Sequence, residues 1–165
     1  MHVDIRPLKQ TDLSDLASLA NNQKIWEDVR DYFPFPYTEK DAAWFINHSL
    51  EMAVNENFAI TYNGDFCGVI SANVQTDVYR KSAEMGYWIG EPFWGKGIAT
   101  KAVKLITEYA FESLDVNRLF SSVFEYNLAS MKVLEKNGFV KEGIFRKAIF
   151  KKEQMWDEHK YAKLV

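Results

Sequence analysis

The residues best able to do chemistry stand together in one stretch, Gly90-Glu91-Pro92-Phe93-Trp94-Gly95-Lys96-Gly97-Ile98-Ala99-Thr100. It follows an alternating segment that reads as a strand and leads into an amphipathic segment that reads as a helix. Glycines at such a junction let the backbone come close to a ligand. The helix N-terminus adds unpaired N–H groups and about half a positive charge. That combination suits an anion, most naturally a phosphate. A glycine-rich turn that holds nothing is the other reading of the same residues.

Two familiar phosphate loops nearly fit. Gly90 to Lys96 has the spacing G-x-x-x-x-G-K, but Gly97 follows where a Mg²⁺-binding Ser or Thr is needed. Gly95-Lys96-Gly97 opens as G-x-G-x-x-G, yet Thr100 stands at the third glycine. Both motifs also require parallel βαβ surroundings, whereas the strands upstream read as a meander. Neither assignment holds.

The elements that position this stretch come from a chain of 165 residues, the size of one domain, expected to span 1–165. Apolar residues make up 47% and aromatics 15%, enough for a sizeable core. Twenty Lys and Arg against 23 Asp and Glu give −3, which argues against a general nucleic-acid binder. One cysteine, Cys67, excludes an internal disulfide framework and reads as a buried core residue. His2, His48 and His159 lack zinc-ligand spacing, so no metal is expected, and the latter two read as structural. The N-terminus has neither a basic n-region nor an apolar h-region, and no apolar run approaches the roughly 18 residues of a membrane span. The expectation is a soluble, cytoplasmic protein, monomer or homodimer.

Val3 to Arg6 alternates as a short strand stopped by Pro7. Thr11 reads as the N-cap of a helix burying Leu13, Leu16, Ala17 and Ala20. A second helix is expected from Thr38, with Asp41 completing a capping box, and with Ala42, Phe45, Ile46 and Leu50 on its apolar face. Phe58 to Tyr62 and Phe66 to Val74 alternate around Asn63-Gly64, the residues a tight hairpin needs. Ala83 to Ile89 makes the third strand of the meander. Ala99, Ala102, Val103, Ile106 and Ala110 form one helical stripe, with Lys104 and Glu108 four apart on the other face. Asn117 to Phe124 is a strand, Leu128 to Lys136 a helix ended by Asn137-Gly138, and Phe139 to Lys147 and Met155 to Leu164 are two last strands. The order predicts an α/β (α+β) fold: a single mixed, mostly antiparallel sheet of six to seven strands with about four helices.

Trp94-Gly95-Lys96-Gly97-Ile98-Ala99 resembles the [Q/R]-x-x-G-x-[G/A] loop of the GNAT acetyltransferases, with Trp94 in place of Gln or Arg as in the RimJ/RimL-like branch. Further motifs follow in that branch's order. They are Ala83-Glu84-Met85-Gly86-Tyr87-Trp88-Ile89, Asn127 to Ser130 with Leu134 to Phe139, Glu142 to Arg146, and Asp157 to Ala162. The resemblance is close over about half the chain, while the N-terminal third matches only in general shape.

The resemblance implies an acetyl-CoA-dependent N-acetyltransferase acting on a primary amine, a protein N-terminus or a small molecule, by direct attack in a ternary complex. A non-catalytic CoA-binding regulator on the same fold is the alternative. In the family, two parallel strands splay to admit the cofactor, here those ending near Ile89 and Phe124. Tyr87, Trp88 and Ile89 would pair by backbone with the pantetheine arm. Amides of Gly95, Lys96, Gly97, Ile98, Ala99 and Thr100 would cradle the pyrophosphate, and Asn127 would bond the pantetheine. Lys96, Lys101 and Lys132 are cations available to phosphate.

Glu84 matches a Glu that serves as general base in the histone-acetylating branch, and partial burial would bring it towards the useful range. Its other reading is a strand Glu that is paired or solvated. Leu134 stands where many members carry a proton-donating Tyr, so the donor is expected to be Ser130, as in RimL-like enzymes. Ile149 falls where those enzymes use a second acid and cannot replace it. A backbone amide near Ile89 to Glu91 would stabilise the oxyanion. The segment from Trp26 to Tyr37, with Tyr32, Phe33, Phe35 and Tyr37, reads either as the acceptor wall or as packing beneath the helices.

Overall fold

A computed structural model describes all residues from Met1 to Val165. The strands form one seven-stranded sheet in the order β1-β2-β3-β4-β5-β7-β6. In chain order the elements are β1 (Val3–Pro7), α1 (Leu13–Ala20), α2 (Gln23–Trp26), α3 (Glu39–Glu51), β2 (Asn57–Tyr62), β3 (Asp65–Val74), β4 (Ser82–Ile89), α4 (Ile98–Ser113), β5 (Arg118–Phe124), α5 (Leu128–Lys136), β6 (Val140–Lys151) and β7 (Gln154–Leu164). The expected order is present, with one addition. The four-residue α2 is too short to show periodicity; the Asn22 side chain caps it by accepting from Lys24 N.

Two compact units divide the chain, Met1–Ser71 with Tyr87–Ala102, and Ala72–Gly86 with Val103–Val165. In the first, β1 pairs with β2 and β2 with β3, both antiparallel. Asn63 and Gly64 join the latter pair with φ of 52° and 94°, the two left-handed residues a tight hairpin uses. Leu16, Ala17, Ala20, Ala42, Ile46, Ala59, Phe66 and Val69 are buried in its core. Thr38 caps α3 and Asp41 closes the capping box.

Two details correct the sequence reading here. Thr11 is not a cap: Asp12 accepts from Lys9 N and from both Arg6 guanidinium nitrogens, at 2.8, 2.9 and 2.7 Å, and pulls residues 10–12 into a 3₁₀ turn ahead of α1. Leu50 is 49% exposed, while Ser49 is buried in its place. The Ser49 hydroxyl donates to Phe45 O and accepts from Asn57, so a polar side chain is satisfied inside.

In the second unit β5 pairs antiparallel with β7, and β7 with β6. β4 meets β5 in parallel, with Ser82, Ala83 and Glu84 level with Arg118, Leu119 and Phe120. The last hairpin is longer than expected, because its turn is Lys152-Glu153 rather than a glycine pair, with φ of 52° and 59°. Motif residues of this region tie its strands together. Glu142 grips Arg118 with both carboxylate oxygens, and Asp157 accepts from Arg146 and Lys147 N. Lys104 and Glu108 form the expected pair on α4 at 3.9 Å.

Candidate functional site

The first unit holds the glycine stretch. β4 ends at Ile89, a 3₁₀ turn covers 91–93, and α4 begins at Ile98. Gly95 and Gly97 take φ of +74° and +72°, conformations that side-chain-bearing residues rarely adopt. No heavy atom lies within 4 Å of where a Cβ would stand on either, so the space over the loop is open. Packing does not require these glycines; their backbone conformation does. At the start of α4 Lys101 N donates to Gly97 O at 3.3 Å, so the loop runs directly into the first turn of the helix.

Side chains fix the two ends of this loop. The Trp94 indole N–H donates to Ile89 O at 2.6 Å and ties the loop to the end of β4. That bond is a physical reason for Trp at a position where the family uses Gln or Arg. Glu91 accepts from Asn22 at 2.7 Å and pairs with Lys24; these bonds hold its carboxyl below the usual carboxylate range. Lys96 is exposed, its Nζ 5.5 Å from the Tyr62 ring centroid and 5.3 Å from that of Phe93. Ile98 is buried, and Ala99 and Thr100 are half-buried.

Sequence reasoning missed the role of Gly68. A Cβ there would stand 2.2 Å from Trp88 O, so only glycine lets β3 approach β4 this closely. A lone glycine inside a strand was the available signal.

The aromatic segment divides. Phe33 lies 5.0 Å from Tyr37 and 6.0 Å from Trp88, centroid to centroid, and Phe66 joins Trp88 at 6.4 Å. Tyr37 is buried, which raises its phenol above its ordinary value. Tyr32 and Phe35 are exposed, at 83% and 44%, and Phe35 packs on Trp26 at 6.1 Å. The structure therefore joins Phe33, Tyr37 and Trp88, and leaves Tyr32 at the surface. Cys67 is fully buried, its thiol pushed up to about 12 chiefly by burial, so it is no ready nucleophile.

In the second unit Glu84 and Ser130 are half-buried. The Asn127 side chain caps α5 by accepting from Ser130 N at 3.1 Å. Capping of α5 is thus done by Asn127. Lys132 is exposed on α5, and Leu134 is fully buried in the position a tyrosine would need. His159 has a buried Nδ1 with no partner, and burial lowers its pKa. No three His, Cys, Asp or Glu side chains gather where they could hold a metal.

Residues 2–140 match the acetyltransferase (GNAT) domain family. The chain belongs to the GNAT acetyltransferases. It is 33% identical over 163 residues to the Bacillus subtilis (strain 168) protein named "Probable N-acetyltransferase YjcK", covering 94% of this chain and 89% of that one. It is 25% identical over 167 residues to the ribosomal-protein-serine acetyltransferase of Escherichia coli (strain K12), covering 99% and 93%. The latter relative bears out the RimJ/RimL-like resemblance. Among solved structures, the microcin C7 self-immunity acetyltransferase MccE, in complex with acetyl-CoA and AMP, superposes with a TM-score of 0.82 at 27% identity, covering 99% of this chain and 92% of that one. The mixed sheet and the acyltransferase class expected of this GNAT enzyme both stand. No helix is long and apolar enough to cross a membrane.

Proposed function

We propose that residues 1–165 act as one cytoplasmic N-acetyltransferase domain. It moves the acetyl group of acetyl-CoA to a primary amine, of a protein N-terminus or a small molecule, by direct attack in a ternary complex. The observation that carries this reading is the pair Gly95 and Gly97, both left-handed with open space above them, at the start of α4. Bound acetyl-CoA supplies an acetyl group already activated as a thioester; the chain supplies the rest.

Amides of Gly95 to Thr100 hold the pyrophosphate, using donors and a helix dipole that need no reorganisation. Tyr87 to Ile89 align the pantetheine arm by backbone bonds, though Ile89 O is already engaged by Trp94. Asn127 keeps its Nδ2 for the pantetheine, since only Oδ1 is used in the cap. Glu84 takes the proton from the attacking amine, an easier task for an α-amine near 7.7–8.0 than for a lysine amine near 10.4. Ser130 donates a hydrogen bond to the departing sulfur.

Thermal unfolding with acetyl-CoA, with CoA, and with ATP plus Mg²⁺ tests the cofactor. At about 100 times Kd a ligand that binds only the folded state adds about 2.7 kcal/mol. For a chain of this length that is a rise in Tm of roughly 5–10 °C. Both CoA forms should give it and ATP should not. A shift with ATP alone, or with none of the three, overturns the reading.

A further inference from the structure

Register in the second unit places a set of polar side chains on one sheet face. Glu84 is level with Phe120, and Phe120 with Ala162; two residues further along β5, Ser122 is level with Lys160. Two more bring Phe124, Glu158 and Phe145 level. Because side chains alternate along a strand, Glu84, Ser122, Lys160 and Glu158 project from the same face. The opposite face of β7 is tied to α5 and its C-terminal end, where Tyr161 donates to Glu135 and Lys163 to Asn137 O.

Lys160 is held at three points. Its Nζ donates to Ser122 Oγ at 2.6 Å, lies 2.8 Å from Glu158 Oε1, and sits 5.0 Å from the Phe145 ring centroid. Glu158 is only 7% exposed. The Lys160 side chain keeps 24% of its exposure, so the pair is half-buried, and desolvation of the Glu158 carboxylate offsets part of its attraction for the ammonium. The pair also sets the polarity of a hydroxyl. Ser122 Oγ accepts from the Lys160 ammonium, and no group in the structure accepts the Ser122 proton. Ser122 lies one strand across and two residues along from Glu84, which separates their Cα atoms by about 8 Å. Side chains reaching out from such positions can address two groups of one small molecule.

We propose that Ser122, oriented by Lys160 and Glu158, is a specificity-determining residue that donates a hydrogen bond to an oxygen of the acceptor close to its reacting amine. Lys160 and Glu158 are positioning residues that act through Ser122. The inference rests on the acetyl-transfer reading and on Glu84 meeting the amine. It favours acceptors with a carbonyl, carboxylate or hydroxyl oxygen beside the amine over plain alkylamines.

The test is steady-state kinetics of the full chain with acetyl-CoA, comparing glycinamide and glycylglycine with propylamine and spermidine. The wild-type protein should prefer the first two. Ser122→Ala should cut that preference in kcat/KM about tenfold, through the acceptor KM, with the KM for acetyl-CoA held within about twofold. Ser122→Thr, which keeps the hydroxyl, should restore the preference, and Lys160→Met should lower it. Equal losses on all four amines, an unchanged preference, or turnover of none of them overturns the inference. Should Lys160→Met not fold, Ser122→Ala still decides, since it removes a single oxygen. If acetyl-CoA fails to raise the wild-type Tm, the acetyl-transfer reading itself falls.

Discussion

Gly95 and Gly97 in the first unit, and Ser122 and Lys160 in the second, are proposed to meet a polar ligand in opposite ways. The glycines contribute main-chain groups from consecutive residues, and their own need is a left-handed φ with open space above. Ser122 and Lys160 contribute single side-chain atoms from neighbouring strands, fixed by a carboxylate that is itself buried. A main-chain cradle tolerates many residue types and fails when φ or charge is wrong. A side-chain relay fails when one atom is lost. The two regions should therefore respond to substitution with different sizes and different kinetic signatures.

The largest effect is expected in the cradle. Gly97→Glu brings a carboxylate to a loop proposed to hold pyrophosphate, and like charges about 4 Å apart repel by about 4 kcal/mol at an effective dielectric of 20. Affinity for CoA, measured by calorimetry, should fall by nearly a thousandfold. Gly97→Ala separates conformation from charge: its methyl group meets nothing within 4 Å, so only the positive φ of +72° is at stake. Its loss should be an order of magnitude or two smaller. Equal losses for both would place the whole effect in the backbone, and unchanged affinity for Gly97→Glu would remove the pyrophosphate from this loop.

Ser130→Ala comes next and should show the other signature. A lost proton donor lowers turnover by about a hundredfold, the low end for general acids. The KM for acetyl-CoA should stay within about threefold, because Asn127 and not Ser130 supplies the cap of α5. Unchanged turnover would take Ser130 out of the chemistry.

The same contrast explains how much was legible in the sequence. Asn63-Gly64, the Thr38 capping box, the bounds of α5 and the glycine loop are local, and each could be read from a few adjacent letters. Thr11 failed as a cap because Asp12 is claimed by Arg6, a strand residue outside the turn. Periodicity alone puts Leu50 in the core, whereas a hydrogen bond to Asn57 draws Ser49 inward. Glu158 and Lys160 stand two apart within the motif Asp157 to Ala162, but only the pairing of β4, β5 and β7 brings Glu84 and Ser122 beside them. Gly68 carried a visible signal, a glycine in a strand, but the atom it accommodates lies on another strand.

The smallest effect compares the two tight hairpins, one in each unit. Asn63-Gly64 and Lys152-Glu153 both turn through two left-handed residues, yet the second pair lacks the residues that suit them. A side-chain-bearing residue in that conformation costs about 1–2 kcal/mol, and glycine returns roughly 0.5–1 kcal/mol of this through the entropy of the unfolded chain. Glu153→Gly should therefore stabilise the protein by about 0.5–1 kcal/mol, seen as a rise in Tm of about 1–4 °C. Lys152 is best left in place, because its Nζ sits 4.5 Å from the Tyr126 ring centroid and 5.6 Å from that of Trp156. The reverse change in the first hairpin, Gly64→Glu, should destabilise by a similar amount, since no atom lies near its Cβ position and only φ opposes it. A fall in Tm for Glu153→Gly would mean that Glu153 contributes through its side chain, and that the second hairpin is held by contacts its turn does not show.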